Sequence, residues 1–254
     1  MTMLLDLTTR LFDGMAVGPA LDVALEVVGR AGFNAVIYDY TPVPRAHDGA
    51  LITPNVLEAR RVPDDMLSLW QSGFYQLDPV QDASLRTVAP FVWSGIGKQS
   101  RVMQEVICDR HRPVLGYMHD MRFSFGVTVP IHHPHGDLAT FTAIRVDAEP
   151  GFETDAALVA PQIGIVGQLF HQAVSAGFDI ETRRTRYVRL SPRERECLGL
   201  CAEGLTAKEI ARRLDRSVPT VTLHLNAAGR KLGARNRLQA VARAAHYRLI
   251  QLDA

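Results

Sequence analysis

Cysteine is scarce: only Cys108, Cys197 and Cys201 occur in 254 residues. Cys197 and Cys201 are four apart, which on a helix places them on one face and leaves no disulfide framework. All three are expected as small buried hydrophobes in a reducing compartment. Long apolar runs are also missing, and no stretch approaches the ~18 uncharged residues that a membrane span needs. Met1 to Phe12 carries Asp6 and has neither a basic start nor an apolar core, so no signal peptide is expected. A glycine-rich phosphate loop, a Gly-x-Ser-x-Gly elbow and zinc-type ligand spacings are absent too, which argues against an enzyme fused to another module. These absences predict a soluble, cytoplasmic protein without a membrane partner, cofactor or metal.

What is present is a chain with 47% hydrophobic residues, enough to bury a core. Its formal net charge of +1 conceals an asymmetry. From Arg183 onward sixteen Lys and Arg accompany six Asp and Glu, whereas the first 182 residues hold twelve against twenty-one. A basic tail suits a phosphate backbone, and an acidic front would be repelled by one. Two modules with different partners follow.

The basic module is punctuated by helix signals. Ser191-Pro192-Arg193-Glu194 is a capping box, with Leu198, Cys201, Ala202 and Leu205 following at helical spacing and Gly204 as exit. Thr206-Ala207-Lys208-Glu209 is a second box, opening a short helix with an apolar face of Ala207, Ile210, Ala211 and Leu214. After a turn at Asp215 and Arg216, Ser217 caps a third helix with a buried stripe of Val221, Leu225, Ala228 and Leu232, closed by Gly233. Asn236 and Gln239 start a fourth, with Leu238, Val241, Ala242, Ala245 and Leu249 expected inward. Two short helices joined by a tight turn and followed by another helix form a helix-turn-helix pattern.

The outward face of the third helix points to its partner. Thr220, Thr222, Leu223, Asn226, Arg230 and Lys231 include no acid, as a surface facing DNA phosphates requires. A merely solvated helix would mix both signs of charge.

These residues resemble the LuxR-type DNA-binding signature over roughly 184–250, with Glu194, Leu198 and Gly204 at three of its characteristic positions. The resemblance implies base contacts from Thr222, Leu223 and Asn226 and backbone contacts from Thr206, Lys208, Thr220 and Lys231. Two departures stand out. Ala227 occupies a slot where the family usually has Asn, and Gly229 lies inside the recognition helix at a cost of ~1 kcal/mol relative to Ala.

The acidic front mixes element types. A helical face at Ala20, Leu21, Ala24, Leu25 and Val28 precedes a buried strand from Phe33 to Tyr40. Residues 41–62 read as a long loop. Helices are expected from Asp64 to Phe74, after Pro79, from Ile96 to Arg112, and from Gly151 to about Ser175. Phe123 to Ile131 and Leu138 to Val146 alternate as a hairpin around Pro134-His135-Gly136-Asp137. His132, His133, His135 and Asp137 fit a solvated hairpin tip better than a metal site, because adjacent strand residues face opposite ways. The fold expected is α+β: an N-terminal α/β/α sandwich over 1–175, a linker at 176–186, and an all-α four-helix helix-turn-helix domain over 187–252 with its core at 207–226.

Asp78-Pro79, flanked by Leu77 and Val80, reads in two ways. Asp-Pro is a helix-start dipeptide, and an Asp in apolar company with Trp93 fifteen residues on is also a buried carboxylate awaiting a donor. With Pro90-Phe91-Val92-Trp93 and Phe125-Gly126-Val127-Thr128-Val129-Pro130-Ile131, it resembles the autoinducer-binding domain of LuxR-type regulators over about 15–170. That resemblance implies a small-molecule signal whose amide N–H meets Asp78, with Trp93 in the pocket and the Thr142 hydroxyl near an acyl carbonyl. It also implies a homodimer that reads an inverted repeat in double-stranded DNA.

The family places a Trp and, four residues later, a Tyr before this Asp, as donors to the lactone and amide carbonyls. Here Met66 and Trp70 have that spacing, if one residue is deleted before Asp78. Met66 donates nothing, and an unpaired buried acceptor costs ~1–3 kcal/mol. The pairing resembles the orphan LuxR-type subgroup of plant-associated bacteria, which implies a small plant-derived or other non-lactone signal. Three alternatives stand beside it: Met66 and Trp70 as plain core, an acyl-homoserine-lactone-responsive regulator, and a response regulator with a phosphoacceptor in a βα-repeating receiver.

Overall fold

A computed structural model describes residues 2–95, 99–148 and 152–250. The chain divides into two compact units, residues 1–44 with 51–183, and residues 184–254 with the loop 45–50.

The first unit is built on one antiparallel sheet in the order β2-β1-β5-β4-β3. Its strands are β1 (Ala35–Thr41), β2 (Val56–Arg60), β3 (Phe91–Ser94), β4 (Phe123–His132) and β5 (Leu138–Val146). Strand alternation divides the sheet's residues between two cores. Val36, Tyr38 and Tyr40 of β1 and Phe141 and Ala143 of β5 pack with α1 (Thr2–Arg10), α2 (Val17–Gly29) and α7 (Phe152–Ser175). Ala35 and Ile144 pack on the opposite face with α3 (Met66–Gln71), α4 (Pro79–Ser84), α5 (Arg101–Gln104) and α6 (Arg112–Asp120). Helices on both faces of a sheet make the α/β/α sandwich expected from the sequence. An antiparallel sheet also excludes the βα-repeating receiver, whose crossovers need parallel strands.

Several expectations are corrected. Residues 41–62 contain β2, a half-buried edge strand with the charges of Glu58 and Arg60. The helix expected over 96–112 is absent in that form: residues 96–98 lie outside the described residues, and the rest gives the four-residue α5 and a 3-10 turn at Asp109–His111. Pro113 then opens α6, its ring suited to a first helical turn. Cys108 is exposed, Cys197 is buried and Cys201 is partly so. The hairpin tip is only partly solvated. His133 reaches back to His171, with 2.6 Å between Nε2 atoms, and buried Asp137 accepts from the Tyr40 hydroxyl at 3.0 Å.

Among its described residues the second unit holds four helices: α8 (Pro192–Ala202), α9 (Ala207–Arg213), α10 (Val218–Lys231) and α11 (Arg237–His246). Val221, Leu225, Ala228 and Leu232 are buried as their spacing predicts. On α11 the inward residues are Ala240 and Ala244, followed by Tyr247 and Leu249, and Leu238 is 80% exposed. Two apolar faces compete on that helix, and the small alanines win the side that packs closely. Among the described residues no helix is long and apolar enough to cross a membrane.

Candidate ligand cleft and DNA-binding helix

The same alternation aims Ile37 and Asp39 of β1 and Thr142 and Ile144 of β5 at the helices of the second face. There they line a narrow cleft. All five positions singled out from the sequence, Met66, Trp70, Asp78, Trp93 and Thr142, line this cleft.

Asp78 does both things its sequence context allowed. Its Oδ1 accepts from the Val80 N–H at 2.8 Å and caps α4, with Pro79 in the first turn. Its Oδ2 accepts from the Trp70 indole N–H at 2.8 Å. Burial pushes this carboxyl up to about 6, and the bonds from Trp70 and Val80 pull the other way. Trp70 and Met66 are one helical turn apart on α3 and both buried, so the cleft has an indole donor at one position and a thioether at the other. That indole is already committed to Asp78.

Trp93 is held by the sheet. Its indole N–H donates to Thr128 Oγ1 at 3.0 Å, and Thr128 and Thr142 share a hydrogen bond at 3.0 Å. Gly126 sits opposite Trp93 in the β3–β4 register, and a Cβ there would lie 2.1 Å from the ring. Only glycine leaves room for the indole.

Sequence reasoning missed Asp39, Tyr75 and Gln81, which line the same cleft. The Tyr75 hydroxyl donates to Asp39 Oδ1 at 3.0 Å, and the Gln81 amide donates to Asp39 Oδ2 at 3.0 Å. The Thr140 hydroxyl also donates to Oδ2. Burial pushes the Asp39 carboxyl up to about 7, against these three bonds. The signal was available: an acid inside an otherwise apolar strand is costly unless something meets it.

In the second unit the predicted caps form as drawn. Ser191 Oγ accepts from the Glu194 N–H at 3.2 Å, and Glu194 Oε2 accepts from the Ser191 N–H at 2.7 Å. Glu209 returns the same bond to Thr206 at 2.8 Å, and Ser217 Oγ accepts from the Thr220 N–H at 3.2 Å. Asp215, at φ 51°, makes the turn between α9 and α10 in the left-handed region that Asp tolerates. The resulting outward face of α10 exposes Leu223 and Asn226, with Thr220 and Thr222 half-buried beside them; Thr206 and Lys208 are exposed on α9's first turn and its cap.

Lys231 has an employment that the resemblance did not imply. Its ammonium lies 2.7 Å from Glu194 Oε2, tying the end of α10 to the start of α8. Burial raises the Glu194 carboxyl, yet the bonds from Lys231 and the Ser191 backbone outweigh it and hold the group below its ordinary value.

Comparison with known proteins agrees with both halves. The autoinducer binding domain family matches residues 20–174, and the family described as bacterial regulatory proteins, luxR family, matches residues 188–244. The HTH-type quorum sensing-dependent transcriptional regulator RpaR of Rhodopseudomonas palustris is 32% identical over 241 residues, covering 92% of this chain and 90% of the relative. Transcriptional activator protein BjaR1 of Bradyrhizobium diazoefficiens is 29% identical over 236 residues, covering 89% and 88%. The crystal structure of Escherichia coli SdiA shares the fold with a TM-score of 0.54 at 22% identity, over 98% of this chain and 97% of that one. The chain belongs to the LuxR family of bacterial transcriptional regulators, with an autoinducer binding domain in front of a LuxR-type DNA-binding domain.

Proposed function

We propose that this regulator answers a small non-lactone signal, of the plant-derived kind assigned to the orphan LuxR-type subgroup of plant-associated bacteria, and binds an inverted-repeat operator as a cytoplasmic homodimer. Met66 carries the reading. It lines the cleft where the family supplies an indole donor, and the Trp70 N–H one turn away is spent on Asp78. A lactone carbonyl placed against Met66 would lose its partner, worth about one to two powers of ten in affinity. In this reading Met66, Trp70, Asp78, Trp93 and Thr142 hold the signal, and its binding shifts the population toward a DNA-competent form.

Thr222, Leu223 and Asn226 read bases, and Thr206, Lys208, Thr220 and Lys231 hold the backbone. An acid-free exposed face on α10 supports that assignment. Dimerisation is supported by exposed apolar side chains on two helices, Leu158 and Ile165 on α7 and Leu238 on α11. The domain limits that go with this reading are 1–175, 176–186 and 187–252.

Thermal unfolding of the full chain tests the ligand class. Extracts of plant tissue should raise the midpoint, N-octanoyl-homoserine lactone should not at micromolar concentration, and Met66→Trp should strengthen lactone binding by about tenfold or more. Strong stabilisation of the unsubstituted protein by the lactone would sink the proposal. It would favour the second reading, a lactone-responsive regulator, which draws support from the retained Asp78-Pro79 and from the quorum-sensing description of RpaR.

A further inference from the structure

Asp39 is fully buried and lines the cleft from β1, between β2 and β5, facing helices rather than solvent. Its Oδ2 accepts two hydrogen bonds, from Gln81 and Thr140, and its Oδ1 accepts one, from Tyr75. A carboxylate oxygen has about two acceptor positions, so Oδ1 retains capacity for another donor. Asp78 lines the same cleft and adds a second acid, and the two repel each other when charged. Among the described residues that line the cleft there is no Lys, Arg or His. Buried carboxylates ordinarily meet a cation, and here the protein offers none at the cleft wall.

Resting on the small-molecule reading above, we infer that the ligand supplies the missing charge: Asp39, steadied by Tyr75, Gln81 and Thr140, is a second recognition point that takes an ammonium group. Asp78 meets a neutral N–H of the same molecule. Such a ligand is polar at two places, and an unbranched aliphatic tail is a poor occupant because its methyl end offers Asp39 Oδ1 neither a donor nor a charge.

Both tryptophans of the chain, Trp70 and Trp93, line the cleft, so intrinsic fluorescence of the full-length protein reports occupancy directly. The probes are pairs of N-butyl alkanamides that differ only in a terminal ammonium or methyl group, for example 6-amino-N-butylhexanamide against N-butylheptanamide. Shorter and longer pairs span the distance between the two acids. At one chain length the ammonium member should bind about tenfold or more tightly than its methyl partner. Asp39→Asn should abolish that preference, and Asp39→Glu should move the best length to a shorter chain.

Tighter binding of the methyl member at every length overturns the inference, as does a preference that survives Asp39→Asn. In that case the cleft still binds small molecules and the proposed function stands. If no probe of either kind changes the fluorescence, while plant extracts also leave the midpoint unmoved, both fall together. The comparison within the unsubstituted protein decides the matter even if Asp39→Asn does not fold.

Discussion

Glu194 in the DNA-binding unit and the cleft acids Asp39 and Asp78 in the ligand unit meet opposite surroundings. In the DNA-binding unit, Glu194 sits at a helix N-terminus and meets a lysine, so its charge is favoured. In the ligand unit, Asp39 and Asp78 are enclosed without a cation on the described cleft wall, so their charge is disfavoured and their proton is held to about pH 7 and about pH 6. Glu194 is held by a cation and a backbone N–H, whereas Asp39 and Asp78 are held by neutral donors alone. A buried acid that meets a cation keeps its charge cheaply, and one that meets only neutral donors keeps it at a cost.

Tight packing around the cleft offers the hardest test of this contrast. Gly126→Ala puts a methyl group into the Trp93 indole and should destabilise the ligand unit by about 3 kcal/mol. Tryptophan fluorescence should record that loss at a lower denaturant midpoint, with the α8–α11 helical signal persisting to higher denaturant. Equal loss from both units would show that they are not independently built.

The next effect concerns pH. Asp39 and Asp78 bind their protons more tightly folded than unfolded, where carboxyls titrate near 4. Between about pH 4 and pH 7 the unfolded chain therefore sheds these protons first, and the ligand unit loses stability as pH rises. Asp39→Asn should flatten that slope, measured as the difference in fluorescence midpoint between pH 5 and pH 8. Glu194 has the opposite sign: its depressed folded value means its contribution is present above the unfolded carboxyl range and is lost as pH falls through the lower folded value. Lys231→Ala should remove that acid-side loss. A single shared pH profile for both units would break the comparison.

On the DNA side, Asn226→Ala should narrow the preference for operator over random duplex by about 1–3 kcal/mol, read by titration at two salt concentrations. Lys208→Ala should weaken binding to both duplexes alike and reduce the salt dependence. The smallest effect belongs to the caps. Ser191→Ala and Thr206→Ala should each cost about 1 kcal/mol of the helical unit's stability and leave cleft occupancy unchanged.

The DNA-binding unit was largely legible because its signals are local. A cap and its partner lie three residues apart, and the apolar stripe of α10 repeats every three or four, so no distant information is needed to place Ser217, Val221 or Leu225. Legibility failed on α11, where Leu238 and Val241 form as plausible a stripe as Ala240 and Ala244, and only the neighbouring helices choose between them. In the ligand unit the hairpin and α2 could be read from periodicity. β2 could not, since a short edge strand carrying Glu58 and Arg60 looks like loop until a neighbour pairs with it.

The sequence by itself determined where the helices of the DNA-binding unit start and stop, which helix face lacks acids, and that Met66 and Trp70 stand four residues apart ahead of Asp78. Those are matters of residue type and spacing along one chain. Tertiary structure alone decided that Asp39, Tyr75, Gln81 and Thr140 meet beside Asp78. Residues separated by as many as 101 positions become neighbours only when β1 pairs with β5 and α4 closes over the sheet. The sequence carried each group, but the cost of burying Asp39 exists only once water has been excluded around it.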